Sequence, residues 1–501
     1  MSGASVKIAS PTEPVVHSHR RLWVSIVSAL ITVVVLFWAS ASWRARVASA
    51  QIRSLAVLSF ADLTPQHDDW FAPALTAEIV DRLAGAQDLQ LIGHASALKL
   101  KSLPAPQPAA AATIEGTVSR TGDRLRIALT MTRASDGYRL WSAHFDRPAR
   151  DLAGAIEDIA AAIARRVQVR MAPLPAHRGQ PSAEAYPEYL QGRYLFDRAV
   201  PGDLDGAQQH LQQATAADPN FVAAWAWLSI VREYRVAAGM ARPNQAMPAS
   251  RDAAERAVAL DPQSGWAQLA LGIVNLQYDW DWAGARQEFD RAAQSLPGSA
   301  LVHQWSGRWY QSQGRMNEAL AETERALALD PLSPSISSDA AAQYVSLNQP
   351  DRAIPFAQKA VDFDPADPAA RARLANVYWL AGQKDQARQM VDALRTSGGA
   401  AKLPPAQWAS LEARLGDPDD ARQLLDAAED LPDDQLLPAV EYARLAAVLE
   451  DWDRVFSWTE EAFGERDLDL PYWPGSPLAP KSDPRFDAFL AQMNLPSTET
   501  R

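Results

Sequence analysis

The chain has 501 residues, 48% of them hydrophobic and 22% charged, a globular composition too long for one ordinary core, so two or three domains are expected. A net charge of −12 offers no basic face to neutralise phosphates and argues against nonspecific nucleic-acid binding. Cysteine is absent, which excludes disulfides, thiolate catalysis and cysteine-ligated metal.

Residues 1–21 read as a short polar tail. Leu22 to Trp43 carries no charge and, at about 1.5 Å rise per residue, is long enough for a hydrocarbon core of roughly 30 Å. Trp23, Trp38 and Trp43 suit the headgroup region. A cleaved signal peptide competes with this reading, since Ala39-Ser40-Ala41 and Ala48-Ser49-Ala50 resemble cleavage sites. The apolar run exceeds the usual signal-peptide core, so a single transmembrane helix over 22–43 is expected. Basic residues tie across it, Lys7, Arg20 and Arg21 against Arg44, Arg46 and Arg53, so charge does not orient it.

From Ser54 the pattern becomes α+β. Leu55 to Phe60 is a continuous apolar run, read as a strand buried on both faces. Phe71, Leu75, Ile79 and Leu83 recur every four residues, a helix stripe. Leu89 to Gly93 predicts a short strand, and Leu103 to Ala112 a loop. Leu125, Ile127, Leu129 and Met131 then alternate with polar neighbours. Gly122-Asp123 before them and Ser135-Asp136-Gly137 after them predict a three-stranded meander. Ile156, Ile159, Ile163 and Val167 mark a closing helix. A first domain over 54–170 is therefore expected, followed by a Pro-rich linker at 171–182.

Residues 183–465 read as an all-α solenoid. Pro262, Pro297, Pro331 and Pro365 are separated by 35, 34 and 34 residues, and Ala319, Ala353, Ala387, Ala421 and Val455 recur at steps of 34. Paired helices at that period are the tetratricopeptide (TPR) signature. Antiparallel helices approach closely only where a side chain is small, which accounts for the alanines. Proline cannot continue a helix, and Asp before it suits a turn. About eight repeats are expected, one of them lengthened around Ala237 to Pro248, with 466–501 as a capping segment.

Residues 54–170 resemble the TolB-like amino-terminal domain of bacterial tetratricopeptide proteins. The resemblance rests on Leu55-Ala56-Val57-Leu58, Phe60, Leu63, Trp70-Phe71-Ala72, Leu75-Thr76 and Glu78, continuing with Glu115-Gly116-Thr117-Val118 and Gly122 to Ile127. It ends on Leu140-Trp141 and Phe145-Asp146-Arg147. "YLQGRYLF" from Tyr189, "YDWDWAGARQEFDRA" from Tyr278 and the stretch Lys481 to Pro496 are similar to that family's repeats and closing segment. Such proteins often carry a winged-helix DNA-binding domain before the span, where this sequence has only the short tail. The family also usually has a helix where Leu103 to Ala112 stands. The resemblance implies an inner-membrane, single-pass protein whose part after the span is periplasmic, with the membrane contacted through Leu22 to Trp43.

No phosphate loop, zinc-protease motif or nucleophile elbow is present, so no enzyme, cofactor or metal is expected. His17 and His19 are the one close histidine pair. Asp279 and Asp281 between Tyr278, Trp280 and Trp282 look like paired carboxylates, but their place at a helix–helix turn favours packing and capping. A tetratricopeptide array offers a concave groove from its first helices. Counting Pro331 as position 32, positions 5, 9 and 12 place Gln304, Arg308, Gln311, Asn376 and Trp379 there as candidate partner contacts. A carboxylate clamp would need Lys at position 5, where Ala226, Leu269, Gln304, Ser338 and Ala372 stand instead. The expected function is a membrane-anchored scaffold binding proteins, with no nucleic acid or small-molecule substrate. The rival is a signalling or transcription-regulatory subunit that lacks its own output domain and acts through a partner.

Overall fold

The computed structural model describes residues 52–64, 68–87, 89–93, 110–171, 181–198, 200–416, 418–429 and 438–497. Its first part is a mixed sheet. Strands β1 (Ser54–Val57), β2 (Ala61–Asp62), β3 (Gln90–Ile92), β4 (Ala112–Thr121), β5 (Arg124–Arg133) and β6 (Arg139–Pro148) form the order β3-β1-β4-β5-β6, with β2 also pairing β4. β1 runs parallel to both its neighbours, while β4, β5 and β6 form the antiparallel meander. Central placement explains the unbroken apolar run: Leu55, Ala56 and Val57 are wholly buried. On β5 the period of two puts Leu125, Ile127, Leu129 and Met131 inside and Arg124 and Arg126 outside. Helices α1 (Phe71–Leu83) and α2 (Leu152–Val167) pack on each other. α2 buries Ile156, Ile159, Ile163 and Val167, the predicted stripe. Gly116 is needed on β4 because the Phe60 ring lies on it; an added Cβ would sit 2.6 Å from a ring carbon.

The rest is helical hairpins. They are α3 (Ala185–Asp197) with α4 (Leu204–Ala217), α5 (Val222–Ala237) with α6 (Pro243–Leu260), α7 (Gly265–Val274) with α8 (Trp282–Ser295), and α9 (Ala300–Ser312) with α10 (Met316–Leu329). Then come α11 (Pro334–Ser346) with α12 (Pro350–Phe363), α13 (Pro368–Leu380) with α14 (Lys384–Thr396), α15 (Pro405–Leu415) with α16 (Pro418–Glu429), and α17 (Ala439–Val448) with α18 (Trp452–Glu465). A 3-10 turn, Leu470–Gly475, and helix α19 (Pro484–Gln492) follow. The insertion predicted around Ala237 to Pro248 lengthens α6, which starts on Pro243.

Ala319, Ala353, Ala387, Ala421 and Val455 each occupy the fourth residue of a second helix, as do Ala207 and Ala285, and all are 0–1% exposed. Opposite them stand other small residues. A Cβ at Gly307 would meet the Ala319 carbonyl at 3.2 Å, and one at Gly192 the Ala207 carbonyl at 3.0 Å. At these two crossings the paired helices come close enough for a glycine to lie against the opposite backbone. The Asp-Pro endings work as predicted: Asp218, Asp261 and Asp364 are extended residues just past a helix. Their carboxylates accept from the amide two residues on, in Asn220, Gln263 and Ala366, at 3.0, 3.0 and 2.9 Å. The next helix is then capped by Ser264, Ser299, Ser333 or Asp367. One short motif thus ends a helix, turns the chain and starts the next.

Among the described residues no helix is long and apolar enough to cross a membrane. The expected span Leu22 to Trp43, the tail 1–21, the pair His17 and His19, most of the loop 103–112 and most of the linker lie outside the described residues. The fold is therefore corrected to a small sheet domain followed by an all-α repeat array, without a transmembrane helix in the described part. The membrane anchor, the membrane as partner, and the inner-membrane and periplasmic location lose their support with it.

The sheet domain does not hang free of the repeats. Glu78 on α1 accepts from Tyr186 Oη at 3.3 Å and Tyr189 Oη at 2.9 Å, both on α3. Arg193 donates to Asp81 at 2.7 Å and lies 3.4 Å over the Trp227 ring. Further along, Gly93 N–H donates to the Leu329 carbonyl at 2.7 Å and Gly298 N–H to the Ala84 carbonyl at 2.8 Å.

Candidate functional site

Neighbouring first helices pack on one another, α5 on α7, α9 on α11 and α11 on α13. On α9, Gln304 Nε2 donates to Asp339 Oδ2 at 2.7 Å. Arg308 donates to both Asp339 oxygens at 2.9 and 3.2 Å and lies 4.6 Å over the Trp305 ring. Asp339, on α11, is the shared acceptor of both. Burial alone would lower the Arg308 pKa, but Asp339 beside it holds the guanidinium above the ordinary arginine range. The result is a fixed, bidentate pair.

Beside it lies a second set of buried polar groups. Glu233 on α5 is 2% exposed. Burial pushes its carboxyl up to about 7, with Arg308 and Gln277 pulling the other way. Gln277 Nε2 approaches Glu233 Oε1 at 3.4 Å, and Glu233 Oε2 has no hydrogen-bond partner among the described residues. Gln277 also accepts from Tyr472 Oη at 3.1 Å. Tyr472 belongs to the 3-10 turn near the C-terminus, and burial raises its phenol well above the usual range.

Of the five predicted contacts, Gln304 and Gln311 are 3% and 8% exposed, and the Arg308 side chain is held by Asp339. Asn376 on α13 is half-buried, with its Oδ1 unpartnered among the described residues. Trp379 Nε1 donates to the Arg414 carbonyl at 3.0 Å, and the Arg414 guanidinium lies 4.9 Å over its ring. Burial pulls Arg414 down to about 10. The structure thus joins Gln304 and Arg308 in one cluster and sets Asn376 and Trp379 on another first helix, α13.

Sequence reading missed Asp339, Glu233, Gln277 and Tyr472. Asp339 had a usable signal: it and Arg373 occupy position 6 of successive repeats, opposite charges 34 residues apart. Tyr472 had none, lying outside the periodic region. The acidic-aromatic turn caps and pairs: Asp281 accepts from Gly284 N–H at 3.0 Å, and Asp279 from Arg251 Nε at 3.0 Å. No group of three or more His, Cys, Asp or Glu among the described residues is arranged to hold a metal.

The tetratricopeptide repeat family matches residues 344–415, so the chain carries repeats of that family. A curated Rhizobium meliloti protein named "Putative adenylate cyclase 3" is 24% identical over 189 residues, 36% of this chain and 32% of that one. The chain thus matches about a third of that relative's length. Among solved structures, Pseudomonas aeruginosa PilF is 20% identical, covering 50% of this chain and 95% of that one, with a TM-score of 0.30. A tetratricopeptide protein of Thermus thermophilus is 22% identical over 38% of this chain and 98% of its own, with a TM-score of 0.33.

Proposed function

We propose that this tetratricopeptide-repeat chain is a scaffold or adaptor that binds protein segments along its first-helix face. It acts by binding and is not an enzyme. The observation that carries this reading is the buried small residue at the fourth place of successive second helices. Hairpins so stacked present a continuous face to a partner. Of the residues on that face, Asn376 and Trp379 stand half-buried where a partner reaches them, and Gln304, Arg308 and Gln311 form the polar floor. With no lysine at position 5, an internal segment suits the face better than a carboxylate terminus. We further read the sheet part as a TolB-like amino-terminal domain; the β3-β1-β4-β5-β6 order and the Phe60–Gly116 contact support that reading.

The test is affinity capture with the purified full chain and with an Asn376→Arg, Trp379→Ala variant, each confirmed folded by circular dichroism. Specific proteins retained by the parent and lost from the variant are the expected result. Identical capture by both chains, or none by either, overturns the reading.

A further inference from the structure

The chain after the last hairpin does more than cover its end. At Arg466 the backbone turns left-handed, with φ 58°, and reverses direction. The Arg466 guanidinium lies 4.0 Å over the Trp280 ring and donates to the Tyr278 carbonyl at 3.1 Å, both residues of the third hairpin. From there the 3-10 turn packs on α9, laying Tyr472 over Gln277. Gly475 comes against α10 and α11, where an added Cβ would stand 3.1 Å from Met316 Cε and 4.0 Å from Ser346 Cβ. Trp282 Nε1 then donates to the Met493 carbonyl at 2.8 Å. This stretch has no helical partner of its own and no 34-residue register. It is a short segment seated on the binding face.

The fit has a defect. Glu233, nine-tenths and more buried, keeps one carboxyl oxygen without a partner among the described residues, while the Tyr472 hydroxyl donates to Gln277, the residue that bonds the other Glu233 oxygen. A buried polar oxygen left unpaired weakens the contact it sits in. The segment therefore holds this face with less than full hydrogen bonding, and an occupant that also donates to Glu233 would hold it better.

We propose that the first-helix face between α5 and α11 is a site for a proline-flanked aromatic segment of a partner protein, and that the chain's own Leu470-Pro471-Tyr472-Trp473-Pro474 occupies it until such a partner displaces it. This rests on the scaffold reading above and adds to it the class of ligand and a competitor in cis. Tethering gives that competitor an effective concentration on the order of millimolar, so weak partners are excluded.

The absence of cysteine makes the test clean. A Ser346→Cys, Gly475→Cys pair places two Cβ atoms within the roughly 3.5–4.5 Å that a disulfide needs. A fluorescent peptide of residues 466–478 is titrated into this full-length variant, oxidised and reduced, and into Tyr472→Ala, with circular dichroism confirming each fold. Binding at least tenfold weaker in the oxidised than in the reduced form is expected, and at least tenfold tighter in Tyr472→Ala than in the parent. Equal binding by oxidised and reduced protein overturns the proposal, as does no binding to any form. So does a Tyr472→Ala chain that dimerises by light scattering, since the occupant is then a second copy. If the peptide fails while affinity capture still depends on Asn376 and Trp379, only this inference falls; loss of both results removes the scaffold reading too.

Discussion

Gly307→Ala and Gly464→Ala are the same chemical change on two helices, and the structure gives them opposite signs. In open space, replacing a helical glycine gains up to about 1 kcal/mol, because alanine has less backbone freedom to lose. At Gly464 on α18 nothing lies within 4 Å of the new methyl, so that gain survives. At Gly307 the methyl would sit 2.9 Å from Thr323 Oγ1 and 3.2 Å from the Ala319 carbonyl. Thr323 is short and buried, and the carbonyl is backbone, so neither can swing aside; α9 and α10 must separate. Overpacking of this kind costs about 1–3 kcal/mol, leaving Gly307→Ala destabilised by up to about 2 kcal/mol after the propensity gain. Urea and thermal midpoints read by far-UV circular dichroism measure both variants. A Gly307→Ala chain that melts at or above the parent refutes the claim that this glycine lies against the opposite backbone.

Other outcomes follow from the buried charges. The Glu233 carboxyl is raised from 4.5 to about 7, so the folded state binds a proton the unfolded chain has released. Its stabilising effect is complete below the unfolded value and is lost as pH rises through about 7. Glu233→Gln should therefore gain stability over the parent above that pH and lose the advantage at acid pH, as pH-dependent melting will show. Arg193→Met leaves Asp81 buried without its guanidinium and should cost about 3–5 kcal/mol, lowering the urea midpoint. Asp339→Ala strands Arg308 in the same way; Arg308→Met with Asp339→Leu should recover much of the loss, and a double variant no better than Asp339→Ala would contradict the pairing.

Sequence revealed those parts that one local rule governs. The alternation on β5, the α1 stripe and the Asp-Pro turns follow from side-chain period and proline chemistry, and each falls where its residues placed it. The contacts of the face depend instead on what lies across from it. Register puts Gln304 and Gln311 on the groove, yet both are buried, and Gln304 is bonded to Asp339 on the next first helix. "LPYWPGSP" has no period and two interior prolines, so nothing local says which hairpins it will return to. The union of sheet domain and first repeat was equally hidden. Tyr186, Tyr189 and Arg193 look like one turn-spaced helix face until Glu78 and Asp81, more than a hundred residues earlier, arrive opposite them.

The central claim is that partners are taken on the first-helix face. A photo-crosslinking residue at position 379, compared with one at the exposed second-helix position 324, tests it most directly. Protein adducts from 379 and few from 324 are the predicted result; equal yields, or adducts from 324 alone, would place recognition elsewhere on the molecule and contradict the account.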